Sequence, residues 1–212
     1  MTPPNFDEQF LSRLRDLMGW RRDVRRFRRE PVPRALISEI LGLGQLSPSV
    51  GNSQPWRWVE VASAPKREAV RRNFAACNAA ALEAQEPSRA ATYARLKLEG
   101  LEAAPAQFAV FCDRGTAQGH GLGALTMPET LDYSVVSMIA MTWLAARARG
   151  LGLGWVSILD PARLCADLGA PRAYKFIAYL CLGYPEEEHD TPELERAGWQ
   201  ERTPLGAYIL HV

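Results

Sequence analysis

Four arginines surround one aspartate in the run Arg21, Arg22, Asp23, Val24, Arg25, Arg26, just ahead of Phe27 and the turn at Pro31 and Pro33. A guanidinium presents a planar fork of donors that fits two phosphate oxygens at once, so the run suits a ligand that carries a phosphate. Asp23 is the odd member. A carboxylate in that place repels phosphate, so Asp23 either neutralises its neighbours or acts on a bound ligand. Taken alone, the run also reads as a solvated basic loop with an internal ion pair. The loop at 47–56 changes the balance. It sets the hydroxyls of Ser49 and Ser53 and the amides of Asn52 and Gln54 around Gly51, between a helix end and a strand start. Such a set offers donors and acceptors to the edge of a heteroaromatic ring. Arginine run and polar loop together favour a phosphorylated, ring-bearing cofactor.

Other chemistries find little support. Gly150, Gly152 and Gly154 evoke a dinucleotide loop, but they lie between a helix and a strand, the reverse of the order such a loop needs. They read instead as a helix stop feeding a buried strand. His120, His189 and His211 have no partner at ligand spacing, so no metal site is expected. His189 beside Asp190 is a conceivable general base, and a solvated acidic loop explains it as well. No serine sits in a nucleophile elbow. A net charge of +1 argues against general nucleic-acid binding. The four cysteines, Cys77, Cys112, Cys165 and Cys181, are scattered, and two lie in apolar runs as small core residues. No signal peptide or membrane span is read, and a reducing cytoplasm is the expected setting.

The elements that must position these residues follow from periodicity. Asn5 caps a first helix with Phe6, Phe10, Leu14 and Leu17 on one face, ended by Gly19; Pro33 opens a second through Ile37, Ile40 and Leu41. Residues 55–61 read as a strand, Pro65 starts an alanine-rich helix, and a further helix spans 87–101. Strands follow at 108–112, 155–159 and 176–182. Thr126 to Glu129 has capping-box spacing for a central buried helix ending near Arg149, with Val135, Met138, Ile139 and Thr142 inward. The end of the chain is acidic and irregular (Glu186, Glu187, Glu188, Asp190). One mixed α and β domain spanning 1–212 is the expectation.

At this point the motifs meet a known pattern. Arg21 to Arg25, Pro48, Ser49, Asn52, Gln54, Pro55 and Trp56, Gly150 to Trp155, and Arg202, Pro204 and Leu205 resemble the nitroreductase-like flavoprotein fold, in order and over nearly the whole chain. Within it, Asp23 where nitroreductases usually carry serine, the stretches 93–101, 120–130 and 155–161, and the closing 183–199 resemble the 5,6-dimethylbenzimidazole synthases of cobalamin biosynthesis. The resemblance implies an α+β fold, a central mostly antiparallel sheet flanked by helices, with a helical lid at about 77–101 and a dimer-embracing C-terminal arm at about 184–212. It implies that reduced FMN is substrate as well as cofactor, with molecular oxygen as co-substrate. On this pattern Arg21, Arg22 and Arg25 hold the flavin phosphate with Arg202 as a further clamp, Val24 is among the cofactor-binding residues, Ser49 and Asn52 contact the ring or ribityl chain, and Asp23 and Ser157 sit near the reacting ring. Asp23 is then a general acid/base and Ser157 a hydrogen-bonding positioner, or else a satisfied strand-end hydroxyl. Beside arginines, Asp23 is expected to have a lowered pKa unless burial by the ring offsets them. Leu98 lies against the ring or in the core. The pattern further implies a homodimer and a separate NAD(P)H flavin reductase that supplies reduced FMN. Asn52 and Ser53 match the general nitroreductase loop, so an NAD(P)H-dependent nitroreductase or reductive dehalogenase stays open, as does a non-catalytic flavin-binding protein.

Overall fold

The computed structural model describes residues 3–97 and 99–210. Helices α1 (Glu8–Trp20) and α2 (Arg34–Gly44) precede strand β1 (Trp56–Glu60); α3 (Ala64–Glu83) and α4 (Pro87–Arg95) follow. Then come β2 (Ala106–Asp113), α5 (Thr130–Ala148), β3 (Gly152–Val156), α6 (Pro161–Leu168), β4 (Tyr174–Gly183) and the single turn α7 (Glu193–Arg196). The four strands form one sheet in the order β1-β2-β4-β3, every neighbouring pair antiparallel. The α+β architecture read from the sequence is therefore the one observed.

Both faces of the sheet are covered, which explains why β2 and β4 read as near-continuous apolar runs. On one face Phe108, Val110, Cys112, Ala178, Leu180 and Leu182 pack against Ile37 and Ile40 of α2 and Val135, Met138 and Ile139 of α5. On the other, Ala109, Phe111, Tyr179 and Cys181 meet Val70 of α3 and Leu164 of α6. Each large side chain buried this way contributes about 1.5–3 kcal/mol. Cys112 and Cys181 are fully buried free thiols, and burial pushes Cys112 up to about 12, so it serves as packing.

Several boundaries differ from the sequence-based expectation. Asp7, not Asn5, caps α1, its Oδ1 accepting the Phe10 N–H at 2.7 Å. Helix α5 starts at Thr130 with no side-chain cap, because 121–126 are taken up by turns. α5 is also not buried all round: Tyr133, Val136 and Met141 form an exposed stripe opposite its core face. α4 stops at Arg95, well short of 101. The chain beyond must pass Phe27, where a Cβ on Gly100 would strike the ring, and must bury Leu101; both needs override helix propensity. β3 begins at Gly152, so the glycines are the strand itself, and only Gly150, with φ +71°, is the helix stop.

No helix among the described residues is long and apolar enough to cross a membrane. Among the same residues, no group of three or more histidine, cysteine or acidic side chains is placed to hold a metal ion.

Candidate active site

The arginine run lies alongside the free edge of β3. Asp23 bridges Leu153 in parallel fashion, and the Val24 N–H donates to the Leu153 carbonyl at 3.1 Å. This approach requires glycine in the strand. A Cβ on Gly152 would lie 2.6 Å from Val24 Cγ2, and one on Gly154 would run into the Val24 carbonyl oxygen. From α5, the Trp143 indole N–H donates to the Arg22 carbonyl at 3.0 Å, and Arg21 lies over the same ring at 4.8 Å. Phe27 is buried beneath and anchors the run's far end, where the Arg28 N–H donates to the Tyr184 carbonyl.

Within this frame Arg21, Arg22, Asp23, Val24, Arg25 and Arg202 line one cavity of about 330 Å3, within the size range of small-ligand sites. The Asp23 carboxylate is doubly held: Oδ1 accepts the Trp155 N–H at 2.8 Å and Oδ2 accepts Arg25 Nε at 3.2 Å. Removal from water pushes its pKa above the ordinary carboxylate range, against the pull of the Trp155 N–H, Arg25 and Arg21. The expected depression by neighbouring arginines is thus reversed, before any ring covers the group. A third of the side chain still faces the cavity, and that opening limits how far burial carries the shift. Arg25 Nη1 is buried without a hydrogen-bond partner. A buried guanidinium donor left free in a wall of arginines is what an anionic ligand would satisfy, so the donor set fits a phosphate monoester.

The remaining predicted residues lie elsewhere. Ser49 accepts the Gln54 N–H, Asn52 adopts φ +54°, and the Val50 N–H donates to Ser134 Oγ near the start of α5. Trp143, which holds the arginine run, is nine residues further along that helix, so the polar loop and the arginine cavity are about 14 Å apart along its axis. Ser157 is exposed just past the end of β3 and does not line the cavity. Its loop is fixed at Asp160, whose backbone N–H and carbonyl exchange bonds with the buried Asn73 amide at 2.8 and 3.0 Å. Leu98 lies outside the described residues.

Sequence reasoning missed one wall. Glu187, His189, Thr191, Glu193 and Arg196, from the segment expected to embrace a partner, line the cavity of their own chain. Arg22 Nε donates to the His189 carbonyl at 3.0 Å, Arg26 pairs with Glu187 and Glu193, and Arg147 of α5 holds Glu188 through both of its oxygens. Charge complementarity between the arginine run and the acidic run was the signal available for this contact. Beyond it, the described residues 200–210 are all exposed.

The model of the "Nitroreductase family" matches residues 18–184. A 5,6-dimethylbenzimidazole synthase of Rhodospirillum rubrum is 56% identical over 203 residues, covering 96% of each chain. One from Rhodobacter capsulatus is 48% identical over 200 residues, covering 94% of this chain and 97% of its own. Among solved structures, iodotyrosine deiodinase bound to FMN and 3-iodo-L-tyrosine superposes with a TM-score of 0.71 at 23% identity, over 83% of this chain and 91% of that one, a likeness of fold.

Proposed function

The chain belongs to the nitroreductase family and is an oxidoreductase, and from that premise we propose that it makes 5,6-dimethylbenzimidazole, the lower ligand of cobalamin, from reduced FMN and molecular oxygen. The observation that carries this reading is Asp23: a carboxyl held by the Trp155 N–H and Arg25 inside a cavity lined by arginines. A simple reductase has no evident need for an acid there. Full-length likeness to synthases of that name supports the same reading.

When bound, reduced FMN supplies both the electrons for oxygen and the carbon skeleton of the product. Arg21, Arg22, Arg25 and Arg202 hold its phosphate, the free Nη1 of Arg25 gaining the acceptor it lacks. Val24 lies between them on the cavity wall. Asp23 exchanges protons at Oδ2, whose partner Arg25 Nε is the longer of its two contacts, while Oδ1 stays on the Trp155 N–H. Burial, which raises its pKa above the ordinary carboxylate range, favours the protonated form that such exchange needs as its acid. Ser157, exposed just past β3 and outside the cavity of its own chain, would serve as a hydrogen-bonding positioner for the part of the flavin that extends beyond that cavity. The lid, about 77–101 with α4, closes over the ring to exclude water. A closed lid leaves little room for a nicotinamide, so a separate NAD(P)H flavin reductase supplies reduced FMN, in the cytoplasm.

Ser49 and Asn52 reach the flavin across a homodimer interface, since their loop and the arginine cavity occupy different ends of α5 within one chain. The exposed stripe of Tyr133, Val136 and Met141, the unburied Phe6 and Phe10 of α1, and the exposed Leu205, Tyr208 and Leu210 are apolar surface suited to cover such an interface. Sedimentation of the flavin-bound protein is expected to give twice the chain mass; a monomer would sink the shared site.

The central test is aerobic incubation of the purified protein with chemically reduced FMN, followed by mass spectrometry. Loss of FMN with appearance of the dimethylbenzimidazole mass is the expected result. Intact oxidised FMN as the sole product, with repeated turnover of nitroaromatics on NADPH, would assign the chain to the reductases instead.

A further inference from the structure

Glu193 is an acid in a place meant for an anion. Its Oε1 is 3.4 Å from Arg26 Nη2, and its Oε2 is 4.0 Å from Arg25 Nη1, the same nitrogen that is buried without a hydrogen bond. At that separation the carboxylate offsets the guanidinium charge without satisfying its donor. Glu193 also stands in the wall between the arginine cavity and a second basin of about 320 Å3, which Thr92, Arg95 and Leu96 line at the end of α4.

The same short segment reaches α4 by its other end. Gly198 takes φ +69°, and the Trp199 N–H donates to the Leu194 carbonyl at 2.8 Å, folding the indole back. The Trp199 ring centroid lies 6.2 Å from that of Tyr93, and the Arg89 guanidinium lies 5.5 Å from the Trp199 ring. Tyr93 is buried, its hydroxyl donating to Asn78 Oδ1 of α3 at 3.0 Å. Residues 193–199 therefore touch the arginines with their first side chain and α4 with their last.

We propose that Glu193 is an internal counter-anion that a ligand's phosphate displaces from Arg25 and Arg26, and that residues 193–199 transmit the displacement through Trp199 to α4. A phosphate dianion with three acceptor oxygens outcompetes one carboxylate for these forks and repels it once bound. Phosphate occupancy and the position of α4 are then one linked equilibrium. The proposal rests on the reading that the arginines hold the flavin phosphate.

The test uses the full-length flavin-free protein with oxidised FMN, riboflavin or inorganic phosphate. Affinity is read from flavin fluorescence and α4 from amide hydrogen exchange across 87–95. Wild type is expected to prefer FMN to riboflavin, and Glu193→Gln to tighten FMN by about five- to tenfold, the ordinary size of a coupling between linked sites, with riboflavin unchanged. Phosphate alone is expected to change exchange in α4 of wild type. Trp199→Ala should abolish that response and change FMN affinity by no more than the coupling it removes, with riboflavin unchanged, and Arg89→Ala, which removes only the cation over the ring, should weaken the response. Glu193→Gln shifting both flavins or neither overturns the counter-anion. Exchange that ignores phosphate in wild type, or responds equally in both variants, overturns the transmission. Equal wild-type affinity for FMN and riboflavin would remove the phosphate reading itself, and the proposal with it.

Discussion

Asp23→Asn is expected to lower the rate of dimethylbenzimidazole formation by about two to four orders of magnitude, the range of a lost general acid/base. Asparagine has nearly the same shape and keeps an oxygen for the Trp155 N–H, which Asp23 Oδ1 accepts at 2.8 Å. It can neither take nor release a proton. Arg21, Arg22 and Arg25 are unaltered, so FMN binding by fluorescence titration should stay within a few-fold of wild type. A wild-type rate in the variant would remove Asp23 from the chemistry. Loss of flavin binding in parallel with the rate would make it a cradle residue only.

The same substitution has a stability signature of definite sign. The folded pKa of Asp23 lies above its ordinary value of 3.8, so between the two values the folded chain binds more protons than the unfolded one. Its contribution is fully present below the unfolded pKa and is lost as pH rises through the folded pKa. The variant, neutral at every pH, should therefore melt above wild type at neutral pH, with the gap narrowing as pH falls toward 3.8. A calorimetric series across that window checks it. A gap that widens on acidification would mean that the arginines, not burial, govern this carboxyl.

Gly154→Ala is expected to destabilise the fold by about 3 kcal/mol, the upper part of the range for overpacking, and to abolish FMN binding in whatever remains folded. The added Cβ meets the Val24 carbonyl oxygen, and backbone cannot swing aside as a flexible side chain would. Relief requires opening the Val24 to Leu153 bridge, which seats the arginine run on β3. Gly42→Ala is the control. It lies in the last turn of α2 with nothing within 4 Å of the new methyl, so a gain of about 0.5 kcal/mol is expected. Urea denaturation of both, with flavin titration, separates packing at Gly154 from a general intolerance of alanine. Unchanged stability in Gly154→Ala would show that β3 and the run are held apart in solution.

The sequence carried more of this protein than its local propensities alone. Unbroken apolar character in β2 and β4 marked strands covered on both faces, because each successive residue there meets a helix. The arginines around Asp23 marked a candidate anion site by residue type, and the order of four motifs marked the family. Where a segment's partner was remote, the same reasoning faltered. It carried α4 through Gly100, although Phe27, far away in sequence, occupies the path. It began β3 too late, since Gly152 and Gly154 look like a loop until Val24 lies against them. It read the acidic segment after Tyr184 as a partner-embracing arm without seeing that its charges also meet arginines of its own chain.

The sign of the Asp23 shift belongs to this second class. Neighbours in sequence supply the arginines that lower its pKa, and only the fold supplies the burial that raises it. The position of Ser49 and Asn52 at the other end of α5 is likewise a fact of three dimensions. Residue types and short spacings determine which bonds a chain is able to make, and they are written in the sequence. Distances between remote segments, and the water excluded between them, arise only when the whole core packs, and these decided where the cradle closes and how its acid behaves.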